Sequence, residues 1–143
     1  MGYAAAPDLK ARLGEAVFDE IYGVSTRADL SDLTAAADDL AAASAEIDGA
    51  VAARYRLPVA GTAARALLKD WCLTLAEERA FARAAGGAWA EKVKSRVEQV
   101  RKYLEMVRDG TFRLAGEIED TAGRAAFAHN AEPVFDRKKM EGF

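Results

Sequence analysis

The order of apolar and polar residues along the chain has the period of α-helices. The pattern is clearest between 88 and 109, where apolar side chains recur every three or four residues: Trp89, Val93, Val97, Val100, Leu104 and Val107. The same period predicts further helices at about 8–22, 34–56 and 63–84, and no segment alternates convincingly as a strand does. The sequence therefore predicts an all-α fold, a small bundle of about four helices.

Local signals mark the ends of these helices. Gly23 and Gly110 are expected to end the first and the fourth, since glycine adopts the left-handed conformation that often follows a helix. Thr62 is a good N-cap for the third helix. Leu57-Pro58 is expected to end the second helix, because the residue before a proline avoids the helical region.

The second predicted helix is rich in small side chains. Ala43, Ile47, Ala50 and Val51 form a narrow apolar stripe, which favours close approach of another helix and a central place in the bundle. Gly49 costs this helix about 0.5–1 kcal/mol relative to alanine. We interpret the glycine as a point of close contact between helices, with a neutral variant as the alternative.

The helical period stops near Thr111. Residues 111–143 combine glycines and Pro133 with scattered phenylalanines, and they are neither low-complexity nor highly charged. A segment of this length without regular structure is either functional or disordered. We expect a helical domain at 1–110 and an extended C-terminal arm at 111–143 that lies on another chain.

Composition and charge narrow the function. A chain of 143 residues, 51% of them hydrophobic, is long enough to form one globular domain. Its net charge of −3 argues against nucleic acid as the main partner. The charge is uneven, since residues 1–61 hold five Lys and Arg against ten Asp and Glu, and residues 62–109 hold ten against seven. These two parts can meet within one molecule or head to tail between copies.

The residue types that carry chemistry are sparse. A single cysteine, Cys72, excludes an internal disulfide, and a single histidine, His129, excludes a multi-histidine metal site. Glu46 and Asp48 are two positions apart, so on a helix they point about 200° away from each other and do not form an acid–base pair. We therefore expect no enzyme activity, no cofactor and no metal. We also expect no membrane span and no signal peptide, because the sequence lacks long apolar runs and a basic leader.

Two motifs together resemble a known family. One runs from Ser44 to Pro58 and contains Ser-Ala-Glu-Ile-Asp-Gly and Ala-Arg-Tyr-x-Leu-Pro. The other runs from Glu132 to Phe143, as Glu-Pro-Val-Phe-Asp-Arg-Lys-Lys-Met-x-Gly-Phe. With the helical pattern between them, they resemble the Mu-like phage neck protein family over nearly the whole chain. The sequence departs from that family at Ala50, where a larger side chain is expected, and in the short loop 23–33.

The resemblance implies a head–tail connector, also called an adaptor or head-completion protein. Such proteins form a ring, typically of twelve copies, beneath the portal protein of a tailed phage or phage-derived particle. A stopper or tail-terminator protein would bind below, and DNA would pass through the lumen without sequence-specific binding. The expected location is the neck of the virion, after assembly in the host cytoplasm. The resemblance implies no catalytic residues for this sequence, because the family has none that are known.

Ten residues are candidates for contacts with the portal or with neighbouring subunits. Four lie in the second helix and six in the arm: Glu46, Asp48, Arg54, Tyr55, Phe127, Phe135, Arg137, Lys138, Lys139 and Phe143. The alternative function is a small helical regulatory or DNA-binding module. It would use the Lys- and Arg-bearing helix 88–109 on the phosphate backbone.

Overall fold

The structure is a computed structural model that describes residues 2–23, 30–84 and 88–117. Its regular elements are five helices, which confirms the all-α prediction: α1 Ala6–Leu13, α2 Glu15–Tyr22, α3 Leu30–Val51, α4 Thr62–Arg83 and α5 Ala88–Asp109. Among the described residues, no helix combines the length and the apolarity that a membrane span requires.

The long helices α3, α4 and α5 all pack on one another, and the short pair α1 and α2 lies across α3 and α4. The apolar stripes predicted from the sequence form the core between them. The five periodic positions of α5 whose side chains are described are all buried: Val93, Val97, Val100, Leu104 and Val107. In α4 the apolar side chains of Leu68, Trp71, Cys72, Leu75 and Phe81 are buried, whereas Leu67 is half-buried and Ala82 exposed.

The single helix predicted at 8–22 is two helices. The chain breaks at Gly14, whose φ of 87° and ψ of 147° are far from helical values and suit glycine. α1 begins at Ala6 rather than Asp8, and the Asp8 carboxylate accepts a hydrogen bond of 2.9 Å from the Ala5 N–H at its start. The helical period continues across the break, so it does not reveal it.

The second predicted helix also has different bounds. α3 begins at Leu30 instead of 34 and ends at Val51 instead of 56. The chain then turns, and the Tyr55 side chain points into the bundle, where it is 3% exposed. Its hydroxyl oxygen accepts a hydrogen bond of 3.1 Å from the Leu114 N–H. This buried contact with a distant segment keeps residues 52–56 out of the helix, so Leu57-Pro58 is not what ends it.

The chain after α5 continues to pack on the bundle. Phe112 lies against Trp71 and Tyr103, with ring centroids 5.8 and 5.7 Å away. Leu114 is 2% exposed. The first residues of the segment predicted as an arm therefore contact their own domain. The rest of that segment, from residue 118, lies outside the described residues, and its role as an arm stays a prediction.

Gly49 does not have the role that the sequence suggested. It is exposed, and a Cβ atom built on it meets nothing within 4 Å. The close packing of α3 is made instead by alanines on its buried side, with Ala36 and Ala43 fully buried. As far as the described residues go, the prediction of a close helix contact at Gly49 is therefore wrong.

Two buried carboxylates tie the helices together. Asp39 on α3 accepts hydrogen bonds from the Tyr22 hydroxyl, at 2.8 Å, and from the Arg83 guanidinium. Glu77 on α4 is 4% exposed and lies 3.4 Å from Arg12 of α1 and 3.2 Å from Arg96 of α5. Burial raises the pKa of Glu77 above its usual value, and the two arginines offset only part of that rise.

Gly49→Ala is expected to raise the free energy of unfolding by about 0.5–1 kcal/mol, because alanine is the better helix former and the site has room. Urea denaturation followed by circular dichroism measures the change. The matched control is Gly110→Ala, which is expected to lose at least about 1 kcal/mol. Gly110 has a φ of 83°, and its Cβ would fall on the Arg54 guanidinium. A destabilised Gly49→Ala variant would contradict the open environment of this position.

The pH dependence of the stability of the Glu77→Gln variant tests the raised pKa of Glu77. Because the folded protein raises the pKa of Glu77, folding favours the protonated form, and this stabilisation is lost as pH rises through the folded-state pKa. The free energy of unfolding of the wild type, minus that of Glu77→Gln, is therefore expected to increase as pH falls from 7 towards 4. Urea titrations at several pH values measure it. A difference that stays flat or falls with decreasing pH would contradict the assignment.

Candidate subunit-contact surface

Four of the ten candidate contact residues lie in the described part of the chain. Glu46 and Asp48 are on α3, and Arg54 and Tyr55 directly follow it. The other six lie outside the described residues and stay predictions: Phe127, Phe135, Arg137, Lys138, Lys139 and Phe143.

Glu46 joins the three long helices. Its carboxylate lies 2.9 Å from Arg101 of α5 and 3.6 Å from Arg79 of α4. Arg101 also lies 2.7 Å from Glu78 of α4. The hydrogen bonds from Arg101 to Glu46 and Glu78 raise its pKa above the usual arginine value. This cluster is partly exposed, so it sets the register of the helices more than it stabilises them.

Asp48 faces the opposite side and anchors the N-terminal segment. It accepts a hydrogen bond of 2.5 Å from the Tyr3 hydroxyl. Burial, and then this hydrogen bond, raises the pKa of Tyr3. The Tyr3 N–H lies 3.4 Å from Ser44 Oγ, which is itself 3.4 Å from Cys72 Sγ. Glu46 and Asp48 thus bind different partners, as the prediction that they do not share a face requires.

Arg54 and Tyr55 connect the end of α3 to the end of α5. Arg54 donates hydrogen bonds of 3.0 and 2.5 Å to the carbonyls of Arg108 and Asp109, two of the last carbonyls of that helix. A cation at this place also favours the negative end of the helix dipole. With the Tyr55–Leu114 bond, these contacts fix the chain on both sides of Gly110. Both side chains therefore bind within the chain, and a contact with another copy stays a prediction for them.

The solvent-exposed side of α3 carries short, uncharged side chains, and this surface is called the bare face. The exposed positions Ala41, Ala45 and Gly49 follow one another along it, Ala52 continues the row directly after the helix, and the charged residue Asp38 precedes them. The exposed side of α5 has the opposite character, because it carries charged residues along its length, among them Glu91, Lys94, Glu98, Lys102 and Glu105. A helix face of alanine and glycine is a suitable surface for close packing, since it has no long side chains to displace.

Grooves flank this bare face on both sides. One, of about 410 Å³, separates α3 from the N-terminal segment, and Ala5, Ala37, Ala41 and Ser44 are among its lining residues. The other, of about 320 Å³, separates α3 from α5. Its floor is made by Ala45, Gly49, Ala50 and Leu104, with four charged residues at its rim: Glu46, Arg101, Glu105 and Arg108.

A third groove, of about 650 Å³, lies between Tyr3, Arg65 and the segment Leu57 to Ala60. None of these surfaces carries the elements of a metal centre. Within the ranges 2–23, 30–84 and 88–117, no three His, Cys, Asp or Glu residues stand together as metal ligands would. The expectation that the protein is not an enzyme stays a prediction.

The sequence analysis did not predict that small residues form a continuous exposed face on this helix. It recognised the small residues of this helix but assigned them all to internal packing, because the helical period by itself does not say which side is covered. The exposed positions 41, 45, 49 and 52 recur every three or four residues, and the buried alanines at 36 and 43 are seven residues, or two helical turns, apart. One feature of the sequence could have indicated this face. Residues 40–45, between Asp39 and Glu46, carry no charged side chain, so no side of α3 is charged there.

The sequence is similar to known proteins over nearly its whole length. The sequence model of the family described as "Bacteriophage Mu, Gp36" matches residues 3–130. The protein named "Gene product J" of Escherichia phage Mu is 30% identical over 154 aligned residues, which cover 100% of this chain and 99% of that protein. With a family match over most of the chain and a relative of nearly the same extent, this protein belongs to the Bacteriophage Mu Gp36 family of phage proteins.

Proposed function

We propose that this protein is a head–tail connector subunit that forms a ring beneath the portal of a tailed phage or phage-derived particle. Membership of a phage Mu family over nearly the whole length supports a phage component. The structural observation that carries the proposal is the bare outer face of α3, which suits a subunit packed against neighbours in an assembly.

The two oppositely charged parts of the chain partly neutralise each other within one molecule, where Asp39 pairs with Arg83 and Glu46 with Arg101, and the charge that remains supports a closed ring. Residues 1–61 carry a net charge of −5 and residues 62–109 a net charge of +3. Head-to-tail contacts join two different surfaces of the same subunit, and they form a ring when the rotation between copies closes. Opposite charge on the two surfaces guides such an association and fixes its register.

In this proposal, about twelve copies bind the portal above and a stopper or tail-terminator protein below. DNA passes through the lumen without sequence-specific binding, and the ring lies in the neck of the virion after assembly in the host cytoplasm. The protein supplies a rigid spacer with two docking ends and no chemistry of its own.

The alternative, a DNA-binding module, would depend on the positive side chains of α5. Two of these are already bound to carboxylates, since Arg96 lies 3.2 Å from Glu77 and Arg101 lies 2.9 Å from Glu46. Glu98 and Glu105 further reduce the positive potential of the same helix. This arrangement favours the connector. Salt-dependent DNA binding by the isolated protein would favour the alternative.

Removal of residues 118–143 tests the role of the predicted arm. The truncation is made after Glu117 because Phe112 and Leu114 pack on the bundle. The shortened protein is expected to keep its helical circular dichroism and cooperative unfolding, since the described core is intact. It is expected to lose attachment to portal-bearing capsids.

Co-sedimentation with purified capsids, and head completion by added protein, measure that attachment. The full-length chain serves as the control. A truncated protein that folds and still completes heads would contradict the role assigned to the arm.

A further inference from the structure

We infer that the third groove, of about 650 Å³, is the docking site for the residues of this same chain that directly follow Glu117. Ile118 fills the apolar part of the groove, and Asp120 lies beside Arg65. The inference goes beyond the proposed function and does not depend on it, because it concerns contacts within one subunit. The groove is called the Pro58 groove, and its lining includes Tyr3, Asp48, Leu57, Pro58, Ala60 and Arg65.

The path of the chain after α5 leads to this groove. The Leu114 N–H donates a hydrogen bond of 3.1 Å to the Tyr55 hydroxyl oxygen. Three residues later, the Glu117 carboxylate accepts a hydrogen bond from the Gly61 N–H. The segment 114–117 therefore lies along the segment 55–61, and the described chain ends beside Gly61.

The contact at Gly61 is close and depends on the glycine. A Cβ atom built on Gly61 would lie 2.8 Å from Glu117 Oε1 and 3.3 Å from the Ala115 carbonyl oxygen. Gly61 directly follows Ala60, and its carbonyl accepts a hydrogen bond of 2.9 Å from the Arg65 N–H. Since both of these neighbours line the Pro58 groove, Glu117 is fixed at its rim. Three further residues of extended chain span about 10 Å, which is enough to enter it.

The groove provides a surface for an apolar side chain. Leu57 is half-buried, Pro58 is exposed and Val59 is 3% exposed, and all three line the groove. Ile118 is the apolar residue in the run Glu-Ile-Glu-Asp that starts at Glu117. Its side chain in the groove would remove apolar surface from water on both partners, which is favourable.

Charge favours an acidic segment at one end of the groove. Arg65 is exposed near the beginning of α4, where the positive end of the helix dipole also lies. The Glu117 carboxylate already binds at this helix end. Glu119 and Asp120 bring two more negative charges directly after it. The same positive region therefore attracts the residues that follow Glu117.

The groove also contains a carboxylate of its own. Asp48 accepts a hydrogen bond of 2.5 Å from the Tyr3 hydroxyl. Burial raises the pKa of Tyr3, and the positive charge of Arg65 offsets part of that rise. Asp48 and Arg65 balance each other in net charge, so position within the groove decides what binds where. An incoming carboxylate is favoured beside Arg65.

The alternation of side chains in an extended segment assigns the roles. Ile118 and Asp120 are two positions apart and face one side of such a segment, whereas Glu119 faces the other. Ile118 and Asp120 can therefore both enter the groove while Glu119 stays in solvent. Attachment within the chain has a further advantage, because the bond from Gly61 to Glu117 holds the segment at a high effective concentration.

Ile118→Ala in the full-length protein tests the apolar contact. It is expected to raise the unfolding equilibrium constant at least about tenfold, because it removes a buried aliphatic side chain. Val134→Ala is the matched control, since it shortens another aliphatic side chain of the same segment, and it is expected to have no effect. Urea denaturation followed by circular dichroism measures both. The effect is expected to be the same at low and high protein concentration, as for a contact within one chain.

A charge exchange tests the position of Asp120. Asp120→Arg is expected to raise the unfolding equilibrium constant at least about threefold, and Arg65→Glu is expected to reverse most of that increase in the double variant. Glu119→Arg is the control, because its side chain faces solvent in the docked segment. Arg65→Glu is expected to give no such reversal with it. Equal reversal for positions 119 and 120 would contradict the assigned orientation.

Cysteine pairs show which chain occupies the groove. Ala60→Cys and Ile118→Cys in one chain are expected to form an intramolecular disulfide at least about fivefold faster than Ala63→Cys and Ile118→Cys. Ala63 is an exposed alanine that also lies within two residues of Gly61. The native Cys72 is buried and does not interfere. When Ala60→Cys and Ile118→Cys are on separate chains, oxidation of the mixture is expected to give no dimer.

The outcomes separate this inference from the proposed function. Wild-type stability of Ile118→Ala, with equal rates for the two cysteine pairs, would overturn the inference and leave the connector role intact. A disulfide-linked dimer from the mixed chains would make a second copy the occupant and overturn the assignment to the same chain. A protein that passes all three tests and never assembles with portal would overturn the connector role alone.

Discussion

The structure depends on the way α3 packs on α4 and α5 at once. Ala36, Ala43 and Ile47 are fully buried on its inner side, and the two alanines let the neighbouring helices approach closely. A larger side chain at either alanine would separate the helices along much of the core, because interiors are packed as densely as crystals. The ends of α3 and its polar edges are then fixed by Asp39, Glu46, Asp48 and the residues that follow Val51.

This packing explains the outer face. With its inner side in the core and its edges engaged by Tyr3 and Arg101, α3 has no partner within residues 2–23, 30–84 and 88–117 for the alanines and the glycine that face outward. An isolated domain would normally solvate such a face with charged side chains, as α5 does. A bare face beside open grooves is the physical link between the fold and the proposed role in an assembly.

The sequence predicted α5 with its exact bounds, because its apolar period is regular and a glycine follows it at once. The break at Gly14 was not predictable from periodicity, since α1 and α2 bury the same side of the chain. The end of α3 at Val51 depends on a hydrogen bond between Tyr55 and Leu114, 59 residues apart, which no local pattern contains. Gly49 was recognised as costly, yet the sequence does not say that it lies on the exposed side of the helix.

The proposed function requires that this chain assembles on a portal. The most direct measurement is negative-stain or cryo-electron microscopy of the full-length protein mixed with the purified portal protein of the same phage or prophage. The proposed function predicts a ring of about twelve copies, coaxial with the portal and attached to one of its ends. A protein that stays monomeric and unbound when it is mixed with the portal in large excess would contradict the proposed function.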